Sequence, residues 1–162
     1  MELKTPIITT LAFIILFTLS AGGQVGSDTT NQTSIFPKGN KVPDGSFTGA
    51  VWLHPLHIDD TVFHCVMSSV TFEPRARTYW HNHPAGQLLL VISGVCYYQE
   101  RGKPVQVFHK GDVIKCPPGV ENWHGASPEG AMTHIAVNPN AQKGVVVWLN
   151  PVTEDEYKGI SK

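Results

Sequence analysis

The chain has 162 residues, 41% of them hydrophobic and 15% charged, with a formal net charge of −1 at pH 7. That length fits one domain after processing, and the apolar fraction suffices for a packed core. Near-neutral charge without a long basic or acidic run argues against nucleic acid as a main partner.

The N-terminus reads as a targeting segment. Lys4 supplies a minimal positive region, Ile7 to Leu19 is mostly apolar, and Ser20-Ala21-Gly22-Gly23 offers small residues for cleavage. The apolar run is shorter than the roughly 20 residues of a membrane span, so stable insertion after processing is not expected. A signal peptide over 1–23 implies a periplasmic or secreted protein. Residues 24–45 contain a Gly-, Ser-, Thr- and Asn-rich stretch and form an expected flexible leader. The folded domain is expected over 46–162.

From Phe47 onward, short apolar or β-branched runs alternate with Gly, Pro and Asn turns. The expected strands cover residues 49–53, 63–72, 87–93, 95–100, 105–108, 112–115, 132–137 and 144–148. Such closely spaced strands predict an all-β sandwich or barrel. Arg101-Gly102-Lys103 and His109-Lys110-Gly111-Asp112 read as turns. Residues 153–162 read as a short terminal helix, with Thr153 as N-cap and Glu156 completing a capping box. Cys65, Cys96 and Cys116 lack CxxC spacing, so no zinc knuckle is indicated. One disulfide is open to them in an oxidising compartment, but buried thiols at strand positions are the favoured reading.

Chemistry concentrates in two segments, Trp80-His81-Asn82-His83-Pro84-Ala85-Gly86-Gln87 and Pro117-Pro118-Gly119-Val120-Glu121-Asn122-Trp123-His124. Strand alternation points His81 and His83 to one face. A turn around Pro84 and Gly86 would return Gln87 to that face. If the two segments are neighbouring strands, three imidazoles and one amide oxygen can meet at a divalent metal.

His81-x-His83-x3-Gln87-x6-Gly94 resembles the first motif of the cupin superfamily, with Gln in place of Glu. Gly111-x5-Pro117-x-Gly119 resembles the start of the second, after a spacer of sixteen residues. Two departures stand out. Arg75 occupies the position where the first motif opens with Gly, and Asn122 occupies that of the second motif's His. His124 lies two residues on with the same strand parity, and Asn is a poor transition-metal ligand. Val70-Thr71-Phe72-Glu73-Pro74, Ala76-Arg77-Thr78, Trp123-His124-Gly125-Ala126 and Ala131-Met132-Thr133-His134 resemble the bacterial manganese-dependent cupin hydroxynitrile lyases. They also resemble carboxymuconolactone decarboxylase-associated cupins. The resemblance runs from about Phe47 to Tyr157. It implies a small single-domain cupin, a jelly-roll β-barrel. It implies metal ligands His81, His83, Gln87 and His124, and a proton-transfer role for His134. Manganese is the implied metal, with Fe, Zn or Ni as alternatives. The implied partner is a small-molecule substrate, and a homodimer is the default assembly.

Three imidazoles and an amide would leave a dication uncompensated, which favours an anionic ligand from solution. Phe72, Trp80, Trp123 and Met132 are candidates to shape a pocket, although plain packing explains large apolar residues as well. Arg77 is expected to pair with a carboxylate. His54, His57, His64 and His109 read as surface or structural. The functional alternatives are lyase chemistry on a small hydroxy or carbonyl compound, a cupin dioxygenase or isomerase, and a non-catalytic binder of a small metabolite or carbohydrate.

Overall fold

The computed structural model describes residues 34–159. The expected signal peptide, residues 1–23, lies outside the described residues. Numbered in chain order, the strands form two antiparallel sheets. The first runs β1 (Asn40–Lys41), β3 (Val51–His57), β4 (Cys65–Phe72), β12 (Met132–Pro139), β7 (Gln87–Ser93) and β10 (Val113–Cys116). The second runs β13 (Val147–Trp148), β6 (His81–Asn82), β11 (Asn122–Ala126), β5 (Arg77–Thr78) and β2 (Phe47–Thr48). Two further strands extend it, with β8 (Val95–Glu100) paired to β11 and β9 (Gln106–His109) paired to β8. The expected all-β jelly roll is what the chain forms.

Alternation sorts the residues of β7, β8 and β10 between core and outside, whereas β11 is buried along its whole length. In β4 and β12, Val70, Phe72, Met132 and Ala136 turn inward and join Leu89, Val91, Cys96 and Ile114 in the main core. Burial of side chains such as Phe72 and Leu89, both 0% exposed, contributes about 1.5–3 kcal/mol each. A second cluster, Trp80, Trp123, Val152 and Tyr157, packs the other face of the second sheet against the C-terminal segment. Helix α1 (Glu154–Lys158) closes that cluster and starts with the expected Thr153/Glu156 capping box. Residues 160–162 lie outside the described residues. Buried Arg77 donates to Val152 O at 3.1 Å and to Glu154 Oε1 at 2.9 Å, the expected carboxylate pair. Among the described residues, no helix is long and apolar enough to cross a membrane.

Strand ends differ from expectation where a local bond competes. The strand expected from residue 63 starts at Cys65, because Asp60 Oδ1 accepts from Val62 N–H and Phe63 N–H and holds a turn. The strand expected from 144 is reduced to Val147–Trp148, because Ala141–Lys143 forms a 3-10 turn. The expected leader divides. Residues 24–33 lie outside the described residues, whereas Asn40–Lys41 pairs with β3 and Val42 N–H donates to Val51 O. All three cysteines are free thiols, with Cys96 and Cys116 buried and Cys65 half-buried.

Candidate metal centre

The first motif is held open by its backbone. His81 on β6 lies opposite Asn122 on β11 and Trp148 on β13. After His83 the chain turns, with Gly86 N–H donating to His83 O at 3.0 Å and Gly86 in the left-handed region at φ 80°. That turn delivers Gln87 to the start of β7, as the Pro84/Gly86 spacing predicts. On β11, Gly125 lets the chain press against β5. A Cβ there would sit 2.4 Å from Ala76 O, so only glycine fits beside His124.

Each of the first three predicted ligands has one end tied, and in His83 and Gln87 the other end is unpartnered among the described residues. His81 Nδ1 pairs with Tyr79 O at 2.9 Å, and His83 Nδ1 pairs with Val145 O at 2.6 Å. Both bonds put the Nδ1 proton on the backbone side and leave Nε2 as a lone-pair donor. Gln87 Nε2 donates to Asn138 Oδ1 at 3.0 Å. His83 Nε2 and Gln87 Oε1 are buried and find no partner. The His81 and His83 rings lie 5.0 Å apart at 89°. The Gln87 side chain is close enough to His83 to favour its charged form, although no hydrogen bond of normal geometry joins them.

Two imidazole rings and an amide are fixed from behind, and His83 Nε2 and Gln87 Oε1 are unsatisfied in front, a set that fits a divalent transition ion. Among the described residues, no group of three or more His, Cys, Asp or Glu is arranged to hold a metal. The fit therefore depends on the amide of Gln87. His124 stands slightly apart. Its ring neighbours are His134 at 4.9 Å, His81 at 5.3 Å and Phe72 at 5.7 Å, and its Nδ1 has no partner.

These side chains line one cavity of about 180 Å3. None of its lining residues is Asp, Glu, Lys or Arg. Burial drives the histidines toward neutrality, because a charged ring loses its hydration there. It pushes His81 and His134 down to about 3, lowers His83, and holds His124 well below the ordinary imidazole range. His134 is 1% exposed, and among the described residues neither ring nitrogen finds a partner on another residue.

All five predicted site residues, His81, His83, Gln87, His124 and His134, thus face the same cavity, as does Phe72. Trp80 and Trp123 belong instead to the cluster under α1, and Met132 to the main core. Neither His54, His57, His64 nor His109 lines the cavity. Sequence reasoning missed Phe47, Thr78, Asn138 and Trp148. Trp148 stacks near His81 at 5.0 Å and Phe47 at 5.3 Å, forming an aromatic rim that is 38% exposed at the tryptophan. The clue lies in the β13–β6 register, which local sequence does not reveal. Asn122 is fully buried, with Nδ2 donating to Val120 O at 3.1 Å and Oδ1 unpartnered.

Residues 68–138 match the family model described as "Cupin domain". An (R)-mandelonitrile lyase of Granulicella tundricola is 42% identical over 118 residues, covering 73% of this chain and 90% of that protein. A cupin-like protein (TM1010) of Thermotoga maritima has a crystal structure that superposes with a TM-score of 0.77 at 45% identity, over 80% of this chain and 98% of that one. The DMSP lyase DddQ of Ruegeria pomeroyi is similar in fold alone, with a TM-score of 0.54 and 16% identity over 67% of this chain and 54% of that one.

Proposed function

From the premise that this chain belongs to the cupin family, we propose that it is a metal-dependent lyase that cleaves a small hydroxynitrile to a carbonyl compound and hydrogen cyanide. The observation that carries the reading is the set of three donor atoms, His81 Nε2, His83 Nε2 and Gln87 Oε1, fixed from behind by hydrogen bonds to Tyr79, Val145 and Asn138. Similarity to an (R)-mandelonitrile lyase over most of that protein's length supports the reaction class. His124 is the fourth ligand in this reading, and manganese is the ion to test first.

A bound divalent ion would supply Lewis-acid polarisation of the substrate hydroxyl. The remaining work falls to the chain. Neutral His134, with both nitrogens free of other residues, accepts the hydroxyl proton as the carbon–cyanide bond breaks, and returns it to the departing cyanide. Phe72, Val70 and Trp148 exclude water and hold the apolar part of the substrate. The uncharged lining leaves the cation's charge available to an anionic ligand.

The test is cyanide release from mandelonitrile by the manganese-loaded protein, beside His134→Ala. Release by the wild type and its loss in the variant, at equal metal content, is the expected result. No release by a loaded wild type would discard the assigned reaction, and oxygen consumption would then test the dioxygenase alternative. Export to the periplasm or medium after removal of residues 1–23, and assembly as a homodimer, belong to the same proposal. Mass spectrometry of the mature N-terminus and sedimentation would check them.

A further inference from the structure

We infer that Asn138 is a positioning residue that turns the amide oxygen of Gln87 toward the His81–His83 pair. The purpose of this arrangement rests on the metal reading above, whereas its geometry does not. Asn138 lies on β12, 7% exposed, one step beyond the Val137–Leu88 pair and therefore facing Gln87 across the strands. Its Oδ1 accepts from Gln87 Nε2 at 3.0 Å in a buried bond. Gln87 Oε1, at the opposite end of the same amide, is buried without a partner, as is His83 Nε2. Gln87 and Asn138 line the same cavity.

The two ends of a glutamine amide have the same shape and opposite chemistry. The oxygen is a ligand, while the NH2 group carries only donor hydrogens and would repel a cation. A carboxylate in this place needs no such choice, because its two oxygens are equivalent. A site built on glutamine therefore needs an acceptor behind the nitrogen, and Asn138 Oδ1 is that acceptor. Removing it leaves Gln87 free to rotate.

The test joins two measurements. In metal-free protein, the side-chain amide resonances of Gln87 report the bond directly. Asn138→Leu is expected to lose the hydrogen-bonded proton's shift and exchange protection, and Asn138→Asp, which can only accept, is expected to keep them. Manganese affinity, measured by chelator competition, is expected to fall about 10- to 100-fold in Asn138→Leu. In a Gln87→Glu background the same change is expected to cost much less, because orientation no longer matters. A purely packing role for Asn138 would give equal losses in both backgrounds and overturn the inference. Unchanged Gln87 resonances in Asn138→Leu would also overturn it. Failure of the wild type to bind any metal would defeat the metal reading, and the amide resonances would still decide the orientation.

Discussion

A buried imidazole with no partner is an expensive side chain to keep. Leaving a buried polar group unsatisfied costs about 1–3 kcal/mol, and His134 leaves both nitrogens without another residue. His134→Leu should therefore melt no lower than the wild type while abolishing cyanide release, a pairing that scanning calorimetry and a cyanide assay would read together. A large drop in melting temperature would show instead that the ring serves packing. At Gln87 the choice is charge. Gln87→Glu should bind manganese more tightly and be inhibited less by azide, because the carboxylate cancels one of the cation's charges. Isothermal titration with manganese, then azide, would check both signs. His81, His83 and Gln87 were legible in the sequence because strand alternation and a Pro/Gly turn are local facts. Asn138 and Trp148 were not, because their roles depend on which strand lies beside them.

Single elements hold the site by close approach and by docking. β11 crosses β5 with Gly125 against the backbone of Ala76. Gly125→Ala should destabilise the protein by about 1–3 kcal/mol, as overpacking does, and the urea midpoint would report it. Helix α1 is tied through Glu154, whose carboxyl is held below its ordinary range first by the hydrogen bond and then by the charge of Arg77. A depressed carboxylate contributes stability above its unfolded pKa and loses it as pH falls through the folded value. Glu154→Gln should thus lower the urea midpoint at pH 7 and leave it unchanged at pH 2. An equal loss at both would place the effect in shape rather than charge. Elements with a regular pattern, such as β7 and β8, were readable end to end. The two-residue strands β2 and β5 were not, because they exist only through their partners. Arg75 is a related case. It holds φ 68° where the cupin motif has Gly, and its guanidinium reaches Glu154 at 3.0 Å.

At the scale of the described fold, the two sheets line an uncharged cavity, and the candidate donor atoms come from both of them. His81 and His124 sit on the second sheet, while Gln87 and His134 sit on the first. A metal bound there would bridge the sheets, so binding should stabilise the entire fold. At a free concentration of 100 times Kd the linkage amounts to about 2.7 kcal/mol. The fold and the histidine pair were legible because motif spacing constrains them. The resemblance implied that His124 and His134 share the site, but their ring contact at 4.9 Å and the aromatic rim of Phe47 and Trp148 emerge only from closure of the barrel. The most direct measurement is the metal content of the purified protein by elemental analysis, in wild type and His83→Ala after equal exposure to manganese. Near-stoichiometric metal in the wild type, lost in the variant, is the predicted result. A wild type without metal, or a variant that retains it in full, would contradict a centre built on His81, His83 and Gln87.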